Sequence, residues 1–128
     1  MGIEILTLES VNGMPFGACL ADLEAALGIA DKQLENYTGE LELLYGDCIY
    51  RLFDDRLVEA TFPDTYRFAI DGLSVLSIYE WLQGCLDTVD LAMFRISLSH
   101  GIAYDNRNPR TGSITVFEKG RWDQVVLG

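Results

Sequence analysis

The chain has 128 residues, 49% hydrophobic and 23% charged, with six Phe, six Tyr and two Trp. That composition excludes an intrinsically disordered chain and fits one domain, residues 1–128, which buries about two thirds of the surface its unfolded form exposes. A formal net charge of −11 argues against nucleic acid and anionic membrane as direct partners, because phosphate binding depends on positive charge.

In chain order, residues 3–8 read as a leading strand. Leu20, Leu23 and Leu27 then line one stripe at helical spacing, with Gly28 as a stop, so a short amphipathic helix is expected over residues 19–28. Next the period changes to alternation. Leu41, Leu43 and Tyr45 alternate with Glu40, Glu42 and Leu44, and the runs 47–53 and 56–62 meet at Asp54-Asp55, which suits a tight turn. This predicts a three-stranded meander. Residues 66–70 read as a second leading strand, and Ile78, Tyr79, Leu82, Cys85 and Leu86 mark a helix over 77–86. Strands are then expected at 94–98, 102–104, 113–118 and 122–127, the last two joined by a turn at Lys119-Gly120.

The two halves resemble each other. Val11-Asn12-Gly13-Met14-Pro15-Phe16 returns as Ile70-Asp71-Gly72-Leu73-Ser74-Val75, and at the same offset Leu23 matches Leu82, Leu43 matches Ile102 and Tyr45 matches Tyr104. An insertion within residues 106–110 changes the offset, after which Ile49 matches Ile114 and Leu57 matches Trp122. Two pseudo-repeats, about 1–62 and 66–127, follow from this pattern. The expected class is α+β, with helices packed on one face of an antiparallel sheet.

Charge divides unevenly between the halves. Residues 1–64 hold thirteen carboxylates against Lys32, Arg51 and Arg56, a balance of −10, and residues 65–128 hold seven against six basic residues, a balance of −1.

Motifs for chemistry are few. No apolar run approaches the roughly 18 residues that span a bilayer, and the N-terminus lacks the pattern of a secretory signal, so a cytoplasmic protein is expected. Cys19, Cys48 and Cys85 show no C-x-x-C spacing and read as apolar core residues. The sole histidine, His100, has no nucleophile-elbow motif to accompany it. Asp105-Asn106-Arg107-Asn108 opens like a calcium loop but puts Arg107 at a ligand position. No G-x-G-x-x-G or Walker loop occurs. Neither catalytic residues nor a metal or other cofactor are therefore assigned.

The run from Gly13 to Phe62 comprises a turn glycine, a helix ending in Leu27-Gly28, Tyr45-Gly46-Asp47, and a meander closing with Arg56-Leu57-Val58-Glu59. It resembles small acidic bacterial proteins, among them immunity-type proteins of contact-dependent and secreted toxins. The tandem outline is also similar to the beta-lactamase inhibitory proteins, whose two helix-plus-strand repeats form one concave sheet. The repeats here are shorter and lack that family's disulfide-forming pairs, so no binding residue carries over.

These readings converge on a non-enzymatic, immunity- or inhibitor-like module that binds a basic protein partner through an acidic sheet surface. The expected contact residues are Glu42, Tyr50, Asp54, Asp55, Glu59 and Asp64: an amphipathic Tyr50 ringed by carboxylates, with Glu59 sharing its side of the strand with Leu57 and Thr61. The alternative is a small-ligand or enzymatic domain with a pocket between the repeats, His100 and Tyr104 near its rim.

Overall fold

Backbone turns that only a few residue types favour set the frame. Asn12-Gly13, Asp54-Asp55 and Asp71-Gly72 all have positive φ at both positions, the geometry of two-residue turns whose twist matches that of the strands they join. The computed structural model describes residues 2–106 and 112–128. The first half forms β1 (Gly2–Leu6), β2 (Ser10–Val11), β3 (Met14–Pro15), α1 (Leu20–Leu27), β4 (Lys32–Glu35), β5 (Leu41–Tyr45), β6 (Cys48–Phe53) and β7 (Arg56–Pro63). The second forms β8 (Arg67–Ile70), β9 (Leu73–Val75), α2 (Ile78–Gln83), β10 (Val89–Leu91), β11 (Phe94–Ser97), β12 (Ile102–Asp105), β13 (Ser113–Phe117) and α3 (Asp123–Leu127).

The class is α+β, with mostly antiparallel sheet and, among the described residues, three short helices. The smaller sheet runs β3-β2-β1-β8-β9, with β1 and β8 parallel. The larger runs β10-β11-β12-β13-β7-β6-β5-β4. Outward from its central pair the order is β7, β6, β5, β4 on one side and β13, β12, β11, β10 on the other. Each half of the chain thus contributes four strands in the same succession.

Alternation gives the large sheet two distinct faces. Leu43, Tyr50, Ala60, Val116 and Ile102 lie in register across five strands. They pack with Leu23 of α1, Ile78 and Leu82 of α2, and Ile3, Ile5 and Phe68 of the small sheet. On this inner face one apolar cluster draws on both halves of the chain. Burying such side chains contributes about 1.5–3 kcal/mol each. On the outer face of the second half, Ile96, Ala103 and Phe117 form a separate cluster covered by Trp122 and Val126.

Four expectations are corrected. Residues 122–127 are not a strand: the second partner of β13 is β7, so no edge remains for them, and the chain turns at Gly120 (φ +86°) into α3. The helices do not share one face, since α3 lies on the outer side. The meander has a fourth strand, β4, whose four residues are all exposed and show no alternation of hydrophobicity to reveal it. The matched residues Leu43 and Ile102 are not equivalent in the sheet: Leu43 is on the third strand counted from β7, Ile102 on the second counted from β13. Of the insertion point expected within residues 106–110, residues 107–110 lie outside the described residues.

Candidate functional site

The outer face of the first half is polar because its cross-strand neighbours are polar. Glu42, Arg51 and Glu59 are register partners on β5, β6 and β7. Arg51 Nε donates to Glu42 Oε2 at 2.9 Å, and its Nη1 donates to Glu59 Oε2 and to Thr61 Oγ1, each at 2.8 Å. The Thr61 and Thr115 hydroxyls meet at 2.8 Å across the β7–β13 seam. From the segment before α3, Arg121 Nε and Trp122 Nε1 donate to Glu59 Oε1 at 3.0 and 3.2 Å, and Arg121 also pairs with Glu40. Trp122 stacks on Phe117 at 5.3 Å. Glu59 thus ties the C-terminal segment to the middle of the sheet.

Two hollows of about 360 and 290 Å³ adjoin along this seam and share Thr61 and Ser113. Arg51, Glu59 and Trp122 line the second. Burial pushes the Glu59 carboxyl above its ordinary range, against the opposing pull of Arg51 and the Trp122 hydrogen bond. Burial likewise lowers Arg121. The arrangement holds charges in place by mutual neutralisation, and it offers no nucleophile with an adjacent free base.

The six residues expected to form one contact surface are not brought together as one. Tyr50 is 3% exposed; it points inward with Cys48 and Leu52 and stands edge-on to Tyr45 and Phe62, each at 5.8 Å, so it is a core residue. Glu59 does lie on the outer face, but buried and ion-paired, and Glu42 is held by the same arginine. A β-bulge between Arg51 and Leu52 pairs Leu57 with Leu52, which turns Leu57 into the core and away from the side of Glu59. Asp64 accepts the Tyr104 hydroxyl at 2.6 Å and the Gly112 N–H at 3.2 Å; burial and this carboxylate push Tyr104 up to about 12. Asp54 sits exposed at the β6–β7 turn.

Asp55 has a structural task. Its Oδ1 accepts the Leu20 N–H at 3.0 Å, one of the free donors at the start of α1, while Asp22 reaches back to the Cys19 N–H. Asp55→Ala is expected to cost about 1–2 kcal/mol in urea unfolding, through the lost cap and the left-handed backbone (φ 56°). Asp55→Asn, which keeps an acceptor and tolerates that backbone, should recover most of it.

His100 has partners that sequence spacing did not reveal. Ser97 Oγ donates to Asp87 Oδ1 at 2.7 Å, so the 2.8 Å contact of Ser97 Oγ with His100 Nδ1 is donated by the imidazole N–H. Ser99 Oγ lies 3.1 Å from the same nitrogen, and Trp81 stands edge-on at 5.0 Å. Burial would raise Asp87, but the Ser99 N–H, the two serine hydroxyls and His100 bring it below its ordinary value. Ser97 is fully buried between the acid and the imidazole, the reverse of the order in which an acid orients a base toward an accessible hydroxyl. The cluster fastens the β11–β12 turn.

At the far end of the large sheet, the acidic half exposes apolar side chains. Ile29 is 76% exposed, Leu34 on β4 is 41% exposed, and Tyr37 at the tip of the β4–β5 turn is fully exposed. Asn36 fixes that tip by accepting from Thr38 and Glu40 N–H groups. Asp31 and Glu35 flank the same stretch. Sequence reasoning missed this end because its strand lacks alternation.

Among the described residues no helix is long and apolar enough to cross a membrane, and no group of three or more His, Cys, Asp or Glu side chains is placed to hold a metal ion. No family model, curated protein or solved structure matches the chain.

Proposed function

We propose that the chain is a non-enzymatic, immunity- or inhibitor-like module that binds a basic protein partner, and that its contact surface is the β4 end of the large sheet. The observation that carries this reading is the exposure of Ile29, Leu34 and Tyr37 within nine residues, in the half whose balance is −10. Apolar anchors supply binding energy when desolvated, and a surrounding negative field speeds the approach of a positive surface and rejects negative ones. Tyr50 is taken up by the core, and Glu42 and Glu59 are held in ion pairs on the outer face. The two halves are read as pseudo-repeats in one domain; the matched strand succession and the shared inner core favour that reading.

The test uses tagged protein as bait in native lysate. A retained partner should be released as NaCl rises, and Tyr37→Ser combined with Glu35→Lys should cut its retention about tenfold or more. Glu80→Lys, a like charge change on α2, should leave it unchanged. Equal retention by all three baits would sink the reading. The second reading, a small-ligand pocket between the halves, rests on the seam hollows. It requires instead that Ser113→Phe, which fills them, abolish function while Glu35→Lys does not.

A further inference from the structure

We infer that the free edge of β4 is the docking strand itself: an extended partner segment, in which Lys or Arg alternates with apolar residues, adds to β4 as a ninth strand of the large sheet. This rests on the basic-partner reading above and assigns its mode of binding.

Among the described residues β4 ends the sheet order and pairs with β5 alone. The hydrogen-bond phase identifies what its open side offers. Asn36 N–H donates to Glu40 C=O at 2.9 Å, and this pair continues the β4–β5 register, in which Leu34 faces Glu42 and Lys32 faces Leu44. Antiparallel ladders alternate bonded and non-bonded pairs. Leu34 and Lys32 therefore bond to β5, and the N–H and C=O groups of Gln33 and Glu35 point to the open edge. An added strand finds two donors and two acceptors there, the basis of recognition by strand addition.

Side chains select the occupant. Gln33 and Glu35 project to one face, Lys32 and Leu34 to the other, so an incoming strand meets the Glu35 carboxylate on one side and the Leu34 side chain, with Lys32 two residues away, on the other. Opposite charges and apolar pairs are the favourable cross-strand neighbours, which gives the alternating basic and apolar pattern. Further acidity stands close: the Tyr45 hydroxyl, which donates to Gly28 C=O at 2.9 Å, feels both Glu24 and Asp31.

Among the described residues the three remaining edges are less suited: β3 is two residues long and one of them is Pro15, which has no N–H to offer. On β10, Asp90 is neutralised by Arg95 at 2.8 Å, and its half is nearly neutral. β9 lies beside Arg67, for which the described residues provide no carboxylate partner. A second copy of the chain would bring two strongly negative halves together.

The probe is an acetylated, amidated octapeptide of alternating valine and lysine, titrated into ¹⁵N-labelled full-length protein at low and at 0.3 M NaCl. Amide shifts should concentrate on residues 31–37, and affinity should fall with salt. Gln33→Pro removes an N–H aimed at the open edge while leaving the bonds to β5, and should weaken binding about tenfold. Leu34→Asp, which keeps every backbone donor, should weaken it similarly through the lost apolar contact; it serves if Gln33→Pro disturbs β4. Shifts at Ile29 and Tyr37 with Gln33→Pro leaving affinity unchanged would overturn strand addition and leave the basic-partner reading standing; shifts confined to the seam hollows, with neither variant affecting affinity, would overturn both. No binding at low salt, or equal binding of a valine–glutamate octapeptide, would overturn both. Concentration-dependent shifts on β4 without peptide would assign the edge to a second copy and overturn the proposal.

Discussion

Gly101→Ala is expected to destabilise the fold by roughly 2–4 kcal/mol, the sum of a left-handed backbone penalty and a steric clash. Gly101 has φ +66°, and a Cβ there would lie 2.5 Å from the Phe117 carbonyl oxygen and 2.8 Å from Leu8 Cδ2. The carbonyl cannot withdraw cheaply, because Gly101 and Phe117 are tied by a 2.9 Å backbone hydrogen bond, and Gly101 N–H donates to Ser97 C=O at 3.0 Å. Urea unfolding should show a lower midpoint with an unchanged slope. Gly101→Asn separates the two causes: asparagine tolerates the left-handed region but carries the same Cβ, so it should cost nearly as much as alanine. A loss below about 1 kcal/mol for both would show that the β11–β12 turn yields to the added atom.

Glu59→Ala should cost about 2–4 kcal/mol, less than the full penalty for breaking a buried ion pair because Arg51 and Arg121 keep Glu42 and Glu40. The substitution removes the acceptor of Arg51 Nη1, Arg121 Nε and Trp122 Nε1 together. Release of Trp122 from Phe117 should accompany the loss and be visible as a change in tryptophan fluorescence. The pH dependence has a definite sign. Burial raises the folded-state pKa of Glu59 above its ordinary 4.5, so between that value and the raised one the native state holds more protons than the unfolded state. The contribution of Glu59 to stability therefore falls as pH rises through this window. Compared with Glu59→Gln, which does not titrate, the native protein should lose relative stability as pH rises from about 4.5. A difference that is flat with pH would mean that the two arginines offset the burial fully.

Much of the framework was legible in the sequence because it rests on local chemistry. Asn12-Gly13, Asp54-Asp55 and Asp71-Gly72 mark tight turns from residue type alone, and the leucine stripe of α1 and the alternation of β5, β6 and β7 follow from the periods of helix and strand. The uneven charge of the halves also needed no coordinates. The outcome at Tyr50, Glu59 and residues 122–127 depended on which strand stands beside which. Plain alternation from the Asp54-Asp55 turn pairs Tyr50 with Glu59 on one face; the bulge at Arg51/Leu52 moves Glu59 opposite Arg51, and only the packing of α1, α2 and the small sheet made the Tyr50 face the core. Only Arg121 and Trp122, more than sixty residues away in the chain, covered Glu59. Residues 122–127 have the apolar content of a strand, yet β7 already occupies the edge of β13 and they fold back as α3. Exposed β4 leaves no apolar period to read, since its pairing is backbone to backbone. Local sequence determined turns, periods and charge; strand neighbours and buried faces were decided by tertiary structure, because hydrogen-bonded edges and apolar surfaces are shared between segments distant in the chain.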